Sequence, residues 1–346
     1  MPNGKTALLF GGTGFIGLHL TRFLVDEAGF TQVVLADLKP PERHVAHVFI
    51  RDLLAAGTAR YVPCDVRQPI SSEALGIAGP VALIANLAAV HREPGHEMHE
   101  YYETNLPGAR TVCAFAEAIG CDDLLFTSSI SPYGPTETAR TESSIPTPET
   151  AYGGSKLAAE LVHEAWRSAR PETRRLLVVR PGVVFGPGEG GNVTRLVGMI
   201  TRGFFVFAGN RKTRKAGIYV KELCRAIWWM HERQAQRPPA LATVNMTMNP
   251  GPSMEEYVAA VEQVHGRKAF VPSIPVWLLL ASARVAQTVF GPFGLLKSVN
   301  VVRVRKLVRS NNILPGVLEA EGYPYRYTLV GALQDWKQSL PAEWRA

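Results

Sequence analysis

Tyr152 and Lys156 stand four residues apart in Tyr152-Gly153-Gly154-Ser155-Lys156, at the start of a predicted helix, Ala151 to Ser168, that continues through Leu157, Glu160 and His163. That spacing stacks both side chains on one helical face. A phenol alone is a poor base near neutral pH, because its ordinary pKa is about 10. A unit positive charge about 5 Å away, at an effective dielectric of about 20, favours the phenolate by roughly 3 kcal/mol, or about two pKa units. Lys156 can thus make Tyr152 a usable acid and base. Ser129 lies at the carboxyl end of a predicted strand, in Phe126-Thr127-Ser128-Ser129-Ile130-Ser131-Pro132-Tyr133-Gly134, and is placed to donate a hydrogen bond to a reacting oxygen. Singly, such residues are more often structural: a serine there caps a turn, and Tyr and Lys on a helix cover surface. Their weight comes from what stands upstream.

Gly11-Gly12-Thr13-Gly14-Phe15-Ile16-Gly17 directly follows the first apolar run and opens the first predicted helix. Gly11, Gly14 and Gly17 permit a tight turn and close approach of backbone to a pyrophosphate, and the N–H groups of Phe15 and Ile16 at the helix start favour the anion. The second run ends at Asp37, about 20 residues beyond the last glycine, where a carboxylate accepts hydrogen bonds from both hydroxyls of an adenosine ribose. The same carboxylate repels a 2′-phosphate, so the expected cofactor is NAD rather than NADP; Lys39 and Arg43 weaken that preference without reversing it.

These groups need a scaffold. Thr6 to Phe10, Gln32 to Ala36, Arg60 to Pro63, Val81 to Asn86, Leu124 to Ser128 and Leu176 to Arg180 read as near-continuously apolar strands. Between them Phe15 to Asp26, Arg43 to Ala55, Glu97 to Ile119 and Ala151 to Ser168 carry helix-spaced apolar residues. That alternation predicts a doubly wound parallel α/β sheet covered on both faces. After Phe185 a glycine-rich loop, Gly186 to Gly191, leads to a helix from Asn192. The chain is then expected to return to the sheet with Ile218 to Val220, a helix Lys221 to Arg233 and a strand Thr243 to Met246. Residues 1–185 and 217–247 are thereby assigned to a dinucleotide-binding domain, and 186–216 and 248–346 to a smaller, interleaved C-terminal substrate lobe.

At 346 residues and 46% hydrophobic, the chain can bury a large core and is neither disordered nor fibrous. Cys64, Cys113, Cys121 and Cys224 are scattered without CxxC spacing, which points to reduced thiols, a cytoplasmic setting and no zinc. No secretory leader is expected. His96 and His99 have the spacing of two ligands on one turn, with His91 nearby, yet no Asp, Glu or Cys pattern completes a metal site. The net charge is +7, and no Asp or Glu occurs from Gln263 to Leu318, where Lys and Arg recur. A solvated basic face, a phosphate-bearing substrate and an acidic membrane surface all fit this stretch; nucleic acid does not, for want of interleaved stacking residues. Val276 to Leu296 is apolar, but Arg284, Gln287 and Pro292 interrupt it, so a buried helix of the lobe is expected rather than stable membrane insertion. Lys297, Arg303, Arg305 and Arg309 then become candidates for holding substrate phosphates.

Taken together, the glycine turn, Asn86-Leu87-Ala88-Ala89, Thr127-Ser128-Ser129 with Tyr133-Gly134, the YGGSK helix and Arg180-Pro181-Gly182-Val183-Val184-Phe185-Gly186-Pro187-Gly188 resemble the extended short-chain dehydrogenase/reductases, within them the NAD-dependent nucleotide-sugar epimerase/dehydratase family. The resemblance is clear from about residue 5 to 250. It implies a Rossmann sheet, a homodimer formed through the helices Glu97 to Ile119 and Ala151 to Ser168, and no metal. It also implies that Asp65 and Val66 hold the adenine, that Leu87, Ala88 and Ala89 line the cofactor channel, that Asn105 supports the active site beside the substrate, and that Pro181 meets the nicotinamide carboxamide. Asn192 matches an asparagine that often meets the substrate pyrophosphate, although an Asn at a helix start is otherwise an N-cap. Lys215 stands where an arginine usually precedes the next strand. Dehydratases of this group carry an Asp-Glu pair where this chain has Ile130 and Ser131, which disfavours loss of water and leaves Ser131 beside the substrate. Many epimerases place an Asn where this chain has Val183.

The reading that follows is epimerisation at C4 of a nucleotide sugar, of the UDP-hexose type, through a transient 4-keto intermediate. The alternatives are net reduction or oxidation of a keto-sugar or of a sterol-like or lipid-linked alcohol, and a non-catalytic NAD-sensing protein, for which an intact Ser129, Tyr152 and Lys156 would have no use.

Overall fold

The computed structural model describes residues 4–93, 95–237, 241–281 and 308–345. Its strands are, in chain order, β1 (Lys5–Phe10), β2 (Phe30–Asp37), β3 (Ala59–Pro63), β4 (Leu83–Asn86), β5 (Asp123–Thr127), β6 (Thr136–Arg140) and β7 (Arg175–Pro181). There follow β8 (Val183–Phe185), β9 (Phe207–Ala208), β10 (Gly217–Tyr219), β11 (Leu241–Met246), β12 (Ser273–Ile274) and β13 (Asn311–Ile313). The helices are α1 (Phe15–Asp26), α2 (Arg51–Ala55), α3 (Met98–Ala118), α4 (Ala151–Ser168), α5 (Asn192–Thr201), α6 (Val220–Ala235), α7 (Met254–His265), α8 (Gly316–Ala320) and α9 (Leu329–Ser339).

Seven strands form one sheet in the order β11-β7-β5-β4-β1-β2-β3, and every pairing in it is parallel. Alternate side chains leave opposite faces, so one apolar run must feed two cores. Along β1, Ala7 and Leu9 join Leu18, Leu20 and Leu24 of α1 and Leu223, Ile227 and Met230 of α6. Leu8 and Phe10 instead meet Val112 and Phe115 of α3 and Ala159 and Trp166 of α4. The strand order reverses between β1 and β4, and ligands of open α/β sheets bind outside the carboxyl ends of strands at such a switch point. The glycine turn leaves β1 there.

Seven of the eight strands read from sequence lie in this sheet; the eighth, Ile218 to Val220, does not return to it. Gly217–Tyr219 pairs with Val183–Phe185 in a separate two-stranded sheet. Arg43 to Ala55, expected as one helix, is two tight turns, Pro41–Arg43 and Val45–Phe49, followed by the five-residue α2. The His44 side chain accepts from the N–H of Ala46 and restarts the turn, an alternative to continuous helix. The β6–β13 pair joins residue 136 to residue 311 and was not legible as strands. A further core, with Phe185, Val197, Tyr257 and Trp336 fully or nearly fully buried, gathers α5, α7 and α9. No helix among the described residues is long and apolar enough to cross a membrane. Residues 282–307, and with them Arg284, Gln287, Pro292, Lys297, Arg303 and Arg305, lie outside the described residues.

One buried ion pair ties the sheet to α4. Arg180 at the end of β7 donates from Nε to Glu160 Oε1 at 2.9 Å and from Nη2 to Oε2 at 2.5 Å, with side-chain exposures of 7% and 1%. Ser128 Oγ donates to the same carboxylate. Arg180 Nη1 donates to Tyr133 Oη at 2.7 Å, and Tyr133 donates to Asn245 Oδ1 of β11 at 3.0 Å. Removing one partner strands the other charge away from water, at a cost of about 3–5 kcal/mol. Glu160→Ala is therefore expected to lower unfolding stability by about that amount in urea titrations; a loss below about 1 kcal/mol would assign the pair no structural role.

Candidate active site

Tyr152, Lys156 and Ser129 converge where β5 ends and α4 begins. Thr150 caps α4, its hydroxyl accepting from the Gly153 N–H at 3.1 Å. A Cβ on Gly153 would lie 2.6 Å from the Ser131 carbonyl oxygen, so only glycine lets the helix start press against the serine loop. In that loop Ser129 Oγ donates to Ser131 Oγ at 3.0 Å and accepts from the Ser131 N–H at 3.1 Å. The half-buried Tyr152 phenol lies beside the Ser129 hydroxyl, close enough for that hydroxyl to favour its ionised form.

The electrostatics differ from the sequence expectation. Burial pushes the Tyr152 phenol up to about 12, with the neighbouring Ser129 hydroxyl opposing it and Lys156 not among the causes. Burial pushes the Lys156 ammonium down to about 7, against the pull of Glu160. Lys156 Nζ donates to the Thr127 carbonyl at 2.7 Å and lies 4.7 Å from the centre of the Phe126 ring. Its charge is committed to the strand end, so the protein alone does not produce a phenolate near neutral pH.

Behind the triad, His163 is buried, stacked on Phe126 at 4.0 Å between ring centres. Its Nδ1 lies 2.7 Å from the Ala159 carbonyl and its Nε2 3.2 Å from Asn86 Nδ2 at the end of β4. Asn105 is also buried: its Oδ1 accepts from the Val90 N–H at 2.9 Å, and its Nδ2 donates to Ser155 Oγ at 2.9 Å. It binds the loop after β4 to α4.

The glycine turn fits a dinucleotide. Gly11 has φ +71°, and a Cβ there would lie 2.6 Å from the Ala88 nitrogen, so the turn can close on the loop carrying Leu87, Ala88 and Ala89 only without a side chain. Gly14 caps α1 with no side-chain hydrogen bond and no acid follows in the first turn, so the helix start is open to an anion. Asp37 ends β2 beside it, accepting from the Thr13 N–H at 3.2 Å and from the Leu38 N–H at 2.7 Å, which fixes the carboxylate where a ribose would lie. Asp65 is paired with Arg67, which holds its carboxyl below the usual range, and Val66 is buried against α3. Pro181 closes β7 next to the Ser128–Ile130 segment, whose Ile130 N–H donates to its carbonyl at 3.1 Å.

The substrate-side residues are less concentrated. Gly191, not Asn192, caps α5; Asn192 is the first helical residue, exposed, and its Oδ1 accepts from Arg195 at 2.6 Å. The capping oxygen is Glu189 Oε2, which accepts from the Thr194 N–H at 2.9 Å. Burial pushes Lys215 down to about 8 against the pull of Glu137, and its Nζ donates to the Arg309 carbonyl at 2.6 Å. Arg309 forms a two-pronged pair with Glu149 at 2.6 and 3.0 Å, so its guanidinium is engaged within the protein. Arg303 lies outside the described residues. His96 pairs with Glu100 and His99 with Glu103, and among the described residues no three His, Cys, Asp or Glu gather as a metal site. Glu160, Tyr133 and His163 were not singled out from sequence; a carboxylate four residues after Lys156 on the helix's buried face was the available signal.

This fold and site define a dinucleotide-dependent enzyme class with a Tyr-Lys-Ser centre. The profile of the NAD dependent epimerase/dehydratase family matches residues 7–245, and the chain belongs to that family, whose cofactor is NAD. The N-acetyl-alpha-D-glucosaminyl-diphospho-ditrans,octacis-undecaprenol 4-epimerase of Escherichia coli O157:H7 is 28% identical over 323 residues, 93% of this chain and 91% of that protein. UDP-glucose 4-epimerase 3 of Oryza sativa subsp. japonica is 29% identical over 184 residues, 51% of this chain and 48% of that one. The structure of UDP-glucuronic acid 4-epimerase from Bacillus cereus, in complex with UDP-glucuronic acid and NAD, shares the fold with TM-score 0.73 at 17% identity, covering 96% and 99% of the two chains.

Two measurements check this site. Asp37→Ala should weaken NAD binding by roughly tenfold, about 1.4 kcal/mol for charge-assisted hydrogen bonds lost, and narrow its preference over NADP in titration calorimetry. Wild-type protein binding NADP as tightly as NAD would overturn the assignment. The second concerns pH. Burial holds His163 down at about 4 when folded, against an unfolded value of 6.5. The unfolded chain takes up a proton first as pH falls, so stability is full above about 6.5 and declines toward 4, by up to about 1.4 kcal/mol per pH unit. His163→Asn should flatten that decline in urea midpoints; an unchanged slope would place the titration elsewhere.

Proposed function

We propose that this chain is an NAD-dependent 4-epimerase of a sugar carried on a diphosphate, with Tyr152 as the acid and base. The observation that carries the reading is the meeting of the helix start that bears Tyr152 and Lys156 with the strand-end loop that bears Ser129, through Gly153 against the Ser131 carbonyl and Lys156 on the Thr127 carbonyl, one loop from a glycine turn that leaves room for a pyrophosphate. Ser129, fixed by Ser131, holds the sugar hydroxyl toward the phenol, and Tyr152 takes its proton and later returns it. NAD, when bound, accepts and returns the hydride and brings a positive charge beside the phenol. Such a charge would oppose the burial that holds Tyr152 at about 12, which Lys156, engaged at the Thr127 carbonyl, does not do. Ile130 and Ser131 offer no second acid and base at the strand end, so one proton carrier serves both directions, as a closed cycle at one carbon requires.

The carrier of the sugar is a nucleoside diphosphate in this reading, with Gly11, Gly14, Gly17, Asp37, Asp65 and Val66 serving NAD, and Asn192 and Lys215 facing the substrate side. A polyprenyl diphosphate is a second reading, favoured by the relative that aligns with 93% of the chain and whose name states that carrier. We further infer a cofactor domain of residues 1–185 and 217–247, a substrate lobe from the rest, and a homodimer through α3 and α4, where Met98, Tyr102 and Leu161 are exposed. The free thiols Cys64, Cys113, Cys121 and Cys224 support a reducing, cytoplasmic setting.

Incubation of UDP-N-acetylglucosamine or UDP-glucose, deuterated at C4, should give the C4 epimer with the label retained and no added reductant. Tyr152→Phe should lose at least about 100-fold in rate with NAD binding intact. Loss of the label with stoichiometric NADH formation would favour a net dehydrogenase instead.

A further inference from the structure

The substrate lobe carries a surface that neither the cofactor site nor the lobe's core uses. Strand β9 pairs with β12, and the pairing extends to a bridge between Phe204 and Phe270, whose rings stack at 6.2 Å between centres. Both rings face water, 51% and 69% exposed, although this is a self-contained aromatic pair that burial would reward. Trp277 and Leu278, in the helical residues 276–281 just beyond β12, are 70% and 44% exposed. The exposed Phe pair at one end of the small sheet and the exposed Trp just beyond its other end are what the lobe's apolar interior, closed around Trp336 and Tyr257, does not require.

Cations flank this pair along the chain. Arg202 stands two residues before Phe204, and Arg267 and Lys268 three and two residues before Phe270, all three exposed. Exposed Arg211, with exposed Lys212 beside it, belongs to the other face of the small sheet, lying against the buried Phe207 ring at 4.7 Å and donating to the Val271 carbonyl at 3.0 Å. Among the described residues none of these five is paired with a carboxylate. The composition makes this systematic: no Asp or Glu occurs from Gly190 to Lys221 or from Gln263 to Leu318, so both segments that build the small sheet are free of acids. Aromatic side chains set among Lys and Arg without acids match the chemistry of a bilayer interface, where rings enter the headgroup layer and cations meet anionic lipid.

We propose that the β9–β12 face of the lobe docks reversibly on an anionic phospholipid surface. Helix α5, ten residues and so roughly 15 Å long, joins the loop leaving β8 to Phe204, which sets the docked face one helix length from the glycine-rich loop 186–191. Such docking deepens the reading in which the sugar diphosphate hangs from a lipid, and it rests on that form of the proposed function. The surface is peripheral: the Phe204–Phe270 pair with Arg202, Arg267 and Lys268 holds it, and among the described residues no helix is long and apolar enough to cross a membrane.

The test is sedimentation of the full chain with vesicles of phosphatidylglycerol and phosphatidylethanolamine, against vesicles of phosphatidylcholine alone. The anionic vesicles should bind the protein at least roughly tenfold better, and about 1 M salt, which shortens the screening length to about 3 Å, should release it. Phe270→Ser with Trp277→Ser should lower the partition by roughly tenfold or more, while Arg267→Gln with Lys268→Gln should remove the preference for anionic lipid. Equal binding to both vesicle types, or a Phe270/Trp277 variant that binds as wild type does, overturns the proposal. So does light scattering in which the aromatic variant falls to a smaller species while wild type ignores vesicles, since the face would then join two copies of the chain. Epimerisation of a soluble sugar nucleotide without vesicles, measured on the same preparations, reports the catalytic reading separately and should be unchanged by all four substitutions.

Discussion

The Glu160 carboxylate is the constraint on which the site depends. It is buried, and it is reached from three directions: Ser128 from the end of β5, Arg180 from the end of β7, and Lys156 electrostatically from one turn earlier on its own helix. A charge in that position is tolerable only if every oxygen is satisfied, and the side chains that satisfy it are those that must be fixed for chemistry. Ser128 adjoins Ser129, Arg180 adjoins Pro181, and Tyr133 passes the contact to Asn245 on β11. The catalytic helix is thereby registered against three strands of the sheet by one anion. A carboxamide in its place would keep some of the geometry but not the charge that opposes the desolvation of Lys156.

What could be read from the chain was what short-range physics determines. The glycine turn was legible because Gly11 and its neighbours satisfy a local demand, and α1 and α4 because their apolar spacing and their caps are written within about 20 residues. The seven main-sheet strands were legible because burial on both faces leaves an unbroken apolar run. β6 was not: its pattern is exposed or half-exposed throughout, so Thr136–Arg140 carries no alternation, and its partner lies near residue 311. β10 was assigned to the wrong sheet for a related reason. Three apolar residues specify that a strand is buried but not which edge it meets, and Gly182 turns the chain so that Val183–Phe185 receives it first. The Glu160–Arg180 pair was illegible as a pair, since a helix end, a loop and a strand separate its members.

The catalytic triad shows the same division between placement and tuning. Residue types and spacing brought Tyr152, Lys156 and Ser129 together as candidates, and the fold sets the helix start that bears the first two against the loop that bears the third. The expected drop in the phenol's pKa assumed that the ammonium's charge is free to act on it. The folded chain uses Lys156 to satisfy the Thr127 carbonyl at the end of β5, and burial raises the phenol instead. A helical spacing fixes which side chains share a face; it does not reveal which nearby carbonyl competes for a donor, because that carbonyl arrives from a strand 29 residues away.

The basic composition of the second half of the chain divides by depth in a way that composition could not show. Lys215 and Arg309 border the seam between β6 and β13: one ammonium is desolvated against a main-chain carbonyl, and the exposed guanidinium is engaged by Glu149. These cations are spent on joining the lobe to the loop after the catalytic serine. Exposed pairs of this kind contribute little to stability, so the Arg309–Glu149 contact matters more for position than for energy. Arg202, Arg267 and Lys268 stand exposed on the same lobe, close in sequence to Phe204 and Phe270, rings that the interior did not take up. The absence of acids from Gly190 to Lys221 serves both depths at once: an acid inside would compete with Glu149 and Glu137 for the seam's cations, and an acid outside would repel an anionic surface. One compositional bias thus accommodates two separate electrostatic demands, and only the fold shows which cation answers which.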